Sequence, residues 1–454
     1  MLSRGRQAIA PTYLFACLIL GGSAQGIWQN MILQLAGVAI IAWAAAAPAE
    51  EPLLRPAKQL LLLAILGILV VALELVPLPP AVWSHLGPRN EFVEGYRALG
   101  LAVPALPLSM TPAQSLDSLL GIIPPLAIFC AIVRLRAFRP DWLAGALLAA
   151  MVAGILIGAL QVASSSSGQS PWYLYEDTNV GAAVGFFANA NHMAILLVVA
   201  LPFLAAIAAT ARRANVQRYS AVLALTIGIG LVVLVGLALN RSLAGYGLAL
   251  PVLAASALII LPSTSRLRIW AVALAVVLVI AAVVGLEVTS IGSSKFGQEA
   301  STSVQSRTDI LVTTTRAMRD FLAFGSGLGS FRQVYHLYER PEQVTNTYVI
   351  HVHNDYIEFA LETGVAGIIV MALFLAWWAV AVWRVWRTAE AGPFARAASI
   401  ASAAILVHSL VDFPLRTAAM SACFAMCVAL LADRRAPRAR EPSDLRAARH
   451  AVIR

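Results

Sequence analysis

The stretch His351-Val352-His353-Asn354-Asp355-Tyr356-Ile357-Glu358-Phe359-Ala360-Leu361-Glu362-Thr363-Gly364-Val365-Ala366-Gly367 decides the fold, because it runs a knot of titratable side chains straight into a long apolar segment. Read as one unbroken helix from about Asn354, the i, i+3, i+4 spacing puts Asp355, Glu358 and Glu362 on a common face, with His351 and His353 at its mouth. The apolar part, residues 356–383, is long enough to cross a hydrocarbon core of about 30 Å. The stretch is therefore a polar cluster on the rim of a membrane span, and the side it faces determines the chemistry open to it.

The whole chain supports that reading. It is 60% hydrophobic and only 12% charged, whereas soluble domains carry about 25% charged residues. Twelve runs of spanning length can be counted, near residues 9–25, 27–47, 59–78, 114–133, 141–163, 190–210, 219–239, 243–262, 269–291, 356–383, 396–410 and 417–432. The fold class expected is an all-α polytopic membrane protein of about 12 transmembrane helices. Residues 1–432 form one membrane domain, with a large helical loop at about 292–355 between spans nine and ten and a basic tail at 433–454. Arg4 and Arg6 precede a short apolar core as in a secretory signal, but no Ala-x-Ala site follows Gly21-Gly22-Ser23-Ala24, so the first run is read as a helix. Cys17, Cys130, Cys423 and Cys427 all fall inside spans without a CxxC pair, and are read as small apolar packing residues.

Charge orients the chain. With the N-terminus cytoplasmic, 22 of the 32 basic residues fall on the inner side, while 16 of the 23 acidic ones fall on the outer side. Both termini are thus expected in the cytoplasm. Arg434, Arg435, Arg438, Arg440, Arg446 and Arg449 in the tail follow the positive-inside rule, and no nucleic-acid partner is expected from them.

Three outer connections are long enough to hold structure. Pro77 to Pro112 has room for a short interfacial helix at its centre. Ser164 to Ala188 carries Trp172, Tyr173 and Tyr175, residues suited to the headgroup layer. Gly292 to Asp355 is the largest, with helical spacing from Val304 to Phe321 and then Gly325-Ser326-Gly327-Leu328-Gly329, which reads as a turn because no strand precedes it as a dinucleotide fingerprint would require.

The opening stretch lands on the outer face. His351-Val352-His353-Asn354-Asp355 begins like an HxHxDH metal pattern, but Tyr356 stands where the last ligand would be, so no metal is expected. His353 and Asn354 also suit a helix cap. Basic residues are scarce on this face, and each one near the bilayer needs a reason. Arg241 sits in the tight turn between spans seven and eight, and Arg307 begins the helix of the large loop. Two permanently charged forks near one imidazole suit a diphosphate ester and an alcohol nucleophile, because guanidinium binds phosphate in a bidentate fashion and imidazole takes up a proton near pH 7. The competing class, a transporter or flippase, should show repeat symmetry and ionisable groups at mid-membrane; here the polar residues gather at one face.

His353-Asn354, nine residues, then Gly364-x-x-Gly367 resembles the signature of the O-antigen ligase and polysaccharide polymerase superfamily, with Ile368 where Thr or Val is usual. Arg241-Ser242 and Ser306-Arg307 resemble its two outer-face arginines. Phe187-Ala188-Asn189-Ala190-Asn191, Phe324 to Phe331, and His408-Ser409-Leu410-Val411-Asp412-Phe413 are also similar to family segments. The resemblance implies a GT-C-like glycosyltransferase of the bacterial inner membrane with its site on the periplasmic side. The donor it implies is an undecaprenyl-diphosphate-linked oligosaccharide; the acceptor is a glycan hydroxyl on a lipid-linked repeat, lipid A core or protein. No cofactor is implied, and transfer is direct and inverting. His353, Arg241 and Arg307 are the catalytic candidates, and Arg241, Arg307, Asn354, Asp355, Glu358, Asn189 and Asn191 the substrate-binding ones.

Overall fold

In the computed structural model the apolar runs that lie within the described residues become helices. It describes residues 4–48, 52–164, 170–214, 217, 219–261, 270, 273–274, 277–278, 295–344, 348–388 and 391–433. The chain order is α1 (Arg4–Leu20), α2 (Ile27–Ala46), α3 (Arg55–Glu74), α4 (Pro80–Trp83), α5 (Asn90–Ala98), α6 (Pro112–Gly121), α7 (Ile123–Val133), α8 (Pro140–Ser164), α9 (Ala190–Arg213), α10 (Tyr219–Asn240) and α11 (Leu243–Ile260). It continues with α12 (Lys295–Phe321), α13 (Phe331–Tyr338), α14 (Asp355–Arg387), α15 (Pro393–His408) and α16 (Ala418–Ala432). Eight of the described segments are long and apolar enough to cross a membrane. The first, eleventh and twelfth expected spans form shorter helices of 17, 16 and 15 residues. The ninth, 269–291, lies almost wholly outside the described residues, as do residues 434–454 of the tail.

The fourth span is two helices, α6 and α7, abutting at Ile122. Pro124 and Pro125 open the second, and two residues without a backbone N–H cannot continue a helix from the preceding turn. Between α3 and α6 a two-residue antiparallel pairing, Pro77 with Pro107 and Leu78 with Leu106, closes the first outer connection around α5, the short helix expected there.

α9 is the central helix: from His192 to Ala209 nearly every side chain is buried, and α8, α10, α11 and α15 pack around it. α16 packs on α7 and α1. By contrast α2, α3, α10 and α14 leave large apolar side chains such as Leu35, Leu62, Leu231 and Ile369 exposed, as helices that face lipid do. A second, smaller core joins the outer loop to the bundle. Ile310, Ala317, Phe321, Phe331, Val334 and Tyr335 of α12 and α13 close on Val352 and Leu361. All four cysteines are free.

Candidate active site

The helix that begins at Asp355 does not run straight into the bundle. Gly364 has φ +59° and ψ −154°, and breaks α14 one residue past Thr363. The carbonyls released by the break are taken by the glycine turn of the outer loop: Ser326 N–H donates to Leu361 O at 3.1 Å and Gly327 N–H to Glu362 O at 2.8 Å. In return Val365 N–H donates to Leu322 O at 2.9 Å. A Cβ on Gly364 would stand 2.5 Å from the Gly325 nitrogen, so the two backbones meet only because both residues are glycine. The spacing from His353 to Gly364 thus measures one short polar helix, docked against the outer loop, ahead of the spanning part. The unbroken rod expected from the sequence is corrected here.

The acidic face of that short helix converges on a residue the sequence reading did not name. Arg416 Nη2 donates to Glu362 Oε2 at 2.9 Å and lies 3.4 Å from Glu358 Oε1, while its Nε lies 3.7 Å from Asp355 Oδ1. Burial alone would lower the pKa of Arg416, but the three carboxylates outweigh it and hold the guanidinium well above its usual range. Glu358, in turn, binds His351 Nδ1 at 2.7 Å and the Val352 N–H at 2.9 Å. Arg416 therefore clamps the segment that carries His353. Asn354 caps α14, its Oδ1 accepting from Tyr356 and Ile357 N–H, and its Nδ2 donates to Leu410 O at 2.9 Å. Asp355 Oδ2 accepts from Ser409 Oγ at 2.8 Å.

His353 itself stands at φ +60°. Its Nδ1 meets Asp412 Oδ1 at 3.2 Å, its ring lies edge-on to Phe413, and its side chain keeps 29% exposure while Asp412 is fully buried. Burial pushes the Asp412 carboxyl up, but the hydrogen bond with His353 and the charges of His192, His353 and His408 outweigh it and hold it below the usual range. A carboxylate so placed fixes the orientation of the ring, as a base-orienting group does. Behind it His192 Nε2, both ring nitrogens of His408 and Asp412 Oδ2 are buried without a hydrogen bond, with His408 Nε2 3.9 Å from Asp412 Oδ2.

The two candidate arginines relate to this loop differently. Arg307 Nη1 donates to Val411 O at 3.2 Å, one residue from Asp412. Arg241 is exposed at φ +62°, and its guanidinium has no partner among the described residues. Its turn is tied to the start of α9: Ser242 Oγ donates to Asn191 Oδ1 at 2.7 Å, Asn189 caps α9 through the Asn191 N–H, and Asn240 Nδ2 donates to Ala183 and Ala190 carbonyls. The next residue, His192, packs edge-on against Phe413 at 5.1 Å. Among the described residues only Arg136, Arg241 and His353 are non-glycine residues at positive φ. Such strain is retained where surrounding structure imposes it, and it gathers at functional sites.

The structure thus brings Arg307 and His353 to one loop and joins Arg241 to it through Asn191 and His192. It places Asn189, Asn191, Asn354, Asp355 and Glu358 in contacts within the protein. Sequence reasoning quoted Asp412 without giving it a role and missed Arg416; the signal for both was a pair of opposite charges in an otherwise mostly apolar turn between the last two spans. No group of three or more His, Cys, Asp or Glu among the described residues is arranged to hold a metal ion. No curated protein matches the chain. Residues 228–372 match the family model of the O-antigen ligase, a range that takes in Arg241, Arg307, His353 and Gly364. Over that stretch the chain is similar to the O-antigen ligase superfamily.

Proposed function

We propose that this protein is a bacterial inner-membrane glycosyltransferase that moves a glycan from undecaprenyl diphosphate to an acceptor sugar hydroxyl at the periplasmic face. The observation that carries the reading is the His353–Asp412 pair, partly open to solvent, with Arg307 bonded to the same loop. His353 Nε2 takes the acceptor proton as the hydroxyl attacks the anomeric carbon, with inversion, and Asp412 steadies the imidazolium that results. Arg241 and Arg307 neutralise the departing diphosphate, whose release drives the reaction without nucleotide or metal. Asp355, Glu358 and Asn354 act through the loop they hold, and Asn189 and Asn191 through the Arg241 turn. The chain is read as a GT-C-like unit of twelve spans over residues 1–432, with its large periplasmic loop at about 292–355, a cytoplasmic tail at 433–454 and both termini inside.

The reading is tested by reconstituting the full chain with a defined undecaprenyl-diphosphate oligosaccharide and two acceptors, a second lipid-linked repeat and lipid A core. A ladder of repeats marks a polymerase, a single addition to the core a ligase. Uptake of the lipid-linked glycan across the bilayer with no new glycosidic bond would overturn the assignment in favour of a flippase.

A further inference from the structure

His351 has no part in the mechanism above, yet its surroundings repeat those of His353. Each imidazole holds a buried carboxylate through Nδ1: His351 to Glu358 at 2.7 Å, His353 to Asp412 at 3.2 Å. Both rings lie against Phe413, at 4.1 Å and 5.1 Å between centroids. Each is partly exposed, 24% and 29%, over a carboxylate that is 1% and 0% exposed. In neither ring does Nε2 have a partner among the described residues. The supports differ: Glu358 is shared between one imidazole and the Arg416 guanidinium, whereas the nearest ionic contacts of Asp412 are the imidazoles of His353 and His408. A buried ring that only filled space would not need a carboxylate aimed at one nitrogen and an open face at the other.

We infer that His351 is a second catalytic imidazole, which donates its Nε2 proton to the phosphate oxygen that leaves the anomeric carbon. This rests on the glycosyl-transfer reading. The acceptor oxygen bonds to the anomeric carbon and its proton passes to His353 Nε2. The electron pair of the breaking carbon–oxygen bond goes to the phosphate oxygen, which His351 protonates. His353 then returns one proton to solvent and His351 takes one up, so the cycle closes without a co-reactant. Protonation by a placed side chain contributes on the order of 10²–10⁴-fold, and it matters less the weaker the leaving group is as a base.

The test compares wild type, H351N, E358Q and H353N, reconstituted at equal yield, on two donors. One is the undecaprenyl-diphosphate glycan; the other carries sulfur for a non-bridging oxygen on the sugar-linked phosphorus, which makes the departing phosphate a weaker base. H351N is expected to slow transfer from the oxygen donor about 100-fold and from the sulfur donor far less. E358Q should show the same selectivity at smaller size, and H353N an equal loss on both donors. Unchanged transfer by H351N, or equal losses by H351N on the two donors as from simple disorder of the loop, would overturn the proposal alone. Absence of transfer by wild type from either donor would overturn the glycosyl-transfer reading and this one with it.

Discussion

Two turns between helices hold an arginine in opposite ways. At 414–416 the guanidinium of Arg416 is enclosed by Asp355, Glu358 and Glu362; at 240–243 that of Arg241 is exposed and has no hydrogen-bond or ion-pair partner among the described residues. A charge satisfied from within is spent on structure, since removing it strands buried carboxylates. A charge held open on a strained backbone, φ +62°, is free to meet an anion that arrives from outside. The difference separates the scaffold of the site from its working surface.

The sharpest way to break that contrast is to remove each charge in turn. R241A should cut glycan transfer by about 10²–10³-fold with no change in thermal unfolding, and R241K should restore little, because an ammonium cannot bind phosphate in a fork. R416A should instead lose about 3–5 kcal/mol of stability, read as a fall in the melting temperature of the purified protein. If R416A melts like wild type, the scaffold role is wrong. D412N leaves the loop packed but frees the His353 ring, and should lower transfer about 100-fold. Because the Asp412 carboxyl is held below its usual range, its stabilising contribution is present above about pH 4 and is lost as pH falls through the lowered folded value. Wild type should therefore lose stability relative to D412N on acidification below about pH 4.

Smaller effects refine the frame around the two turns. G364A forces a side chain into φ +59° and against Gly325, and should cost about 1–3 kcal/mol, with faster proteolysis of the outer loop as the readout. N354A removes the cap of α14 and should cost about 1 kcal/mol, seen in the same melting experiment.

The spans could be read in the sequence because membrane helices announce themselves by length and apolarity alone. Eight of the described segments meet that standard, and α5 and the turn at Gly325–Gly329 fall where local signals put them. The acidic face at 355, 358 and 362 was legible from helical spacing. Its partner was not, since Arg416 is 54 residues from Glu362 and no local rule joins them. The break at Gly364 was hidden for a different reason: a glycine within an apolar run reads equally as a packing residue, and only the outer loop lying against it requires positive φ. Asp412 is 59 residues from His353 and is recognisable as its partner only once the turn after α15 folds back over the start of α14.

The central claim, that Arg241, Arg307 and His353 serve one transfer site, is tested most directly by measuring glycan transfer from undecaprenyl diphosphate with R241A, R307A and H353A, each inserted and melting like wild type. The account predicts that each of the three lowers transfer by at least about 100-fold; full activity in all three well-folded variants would contradict it.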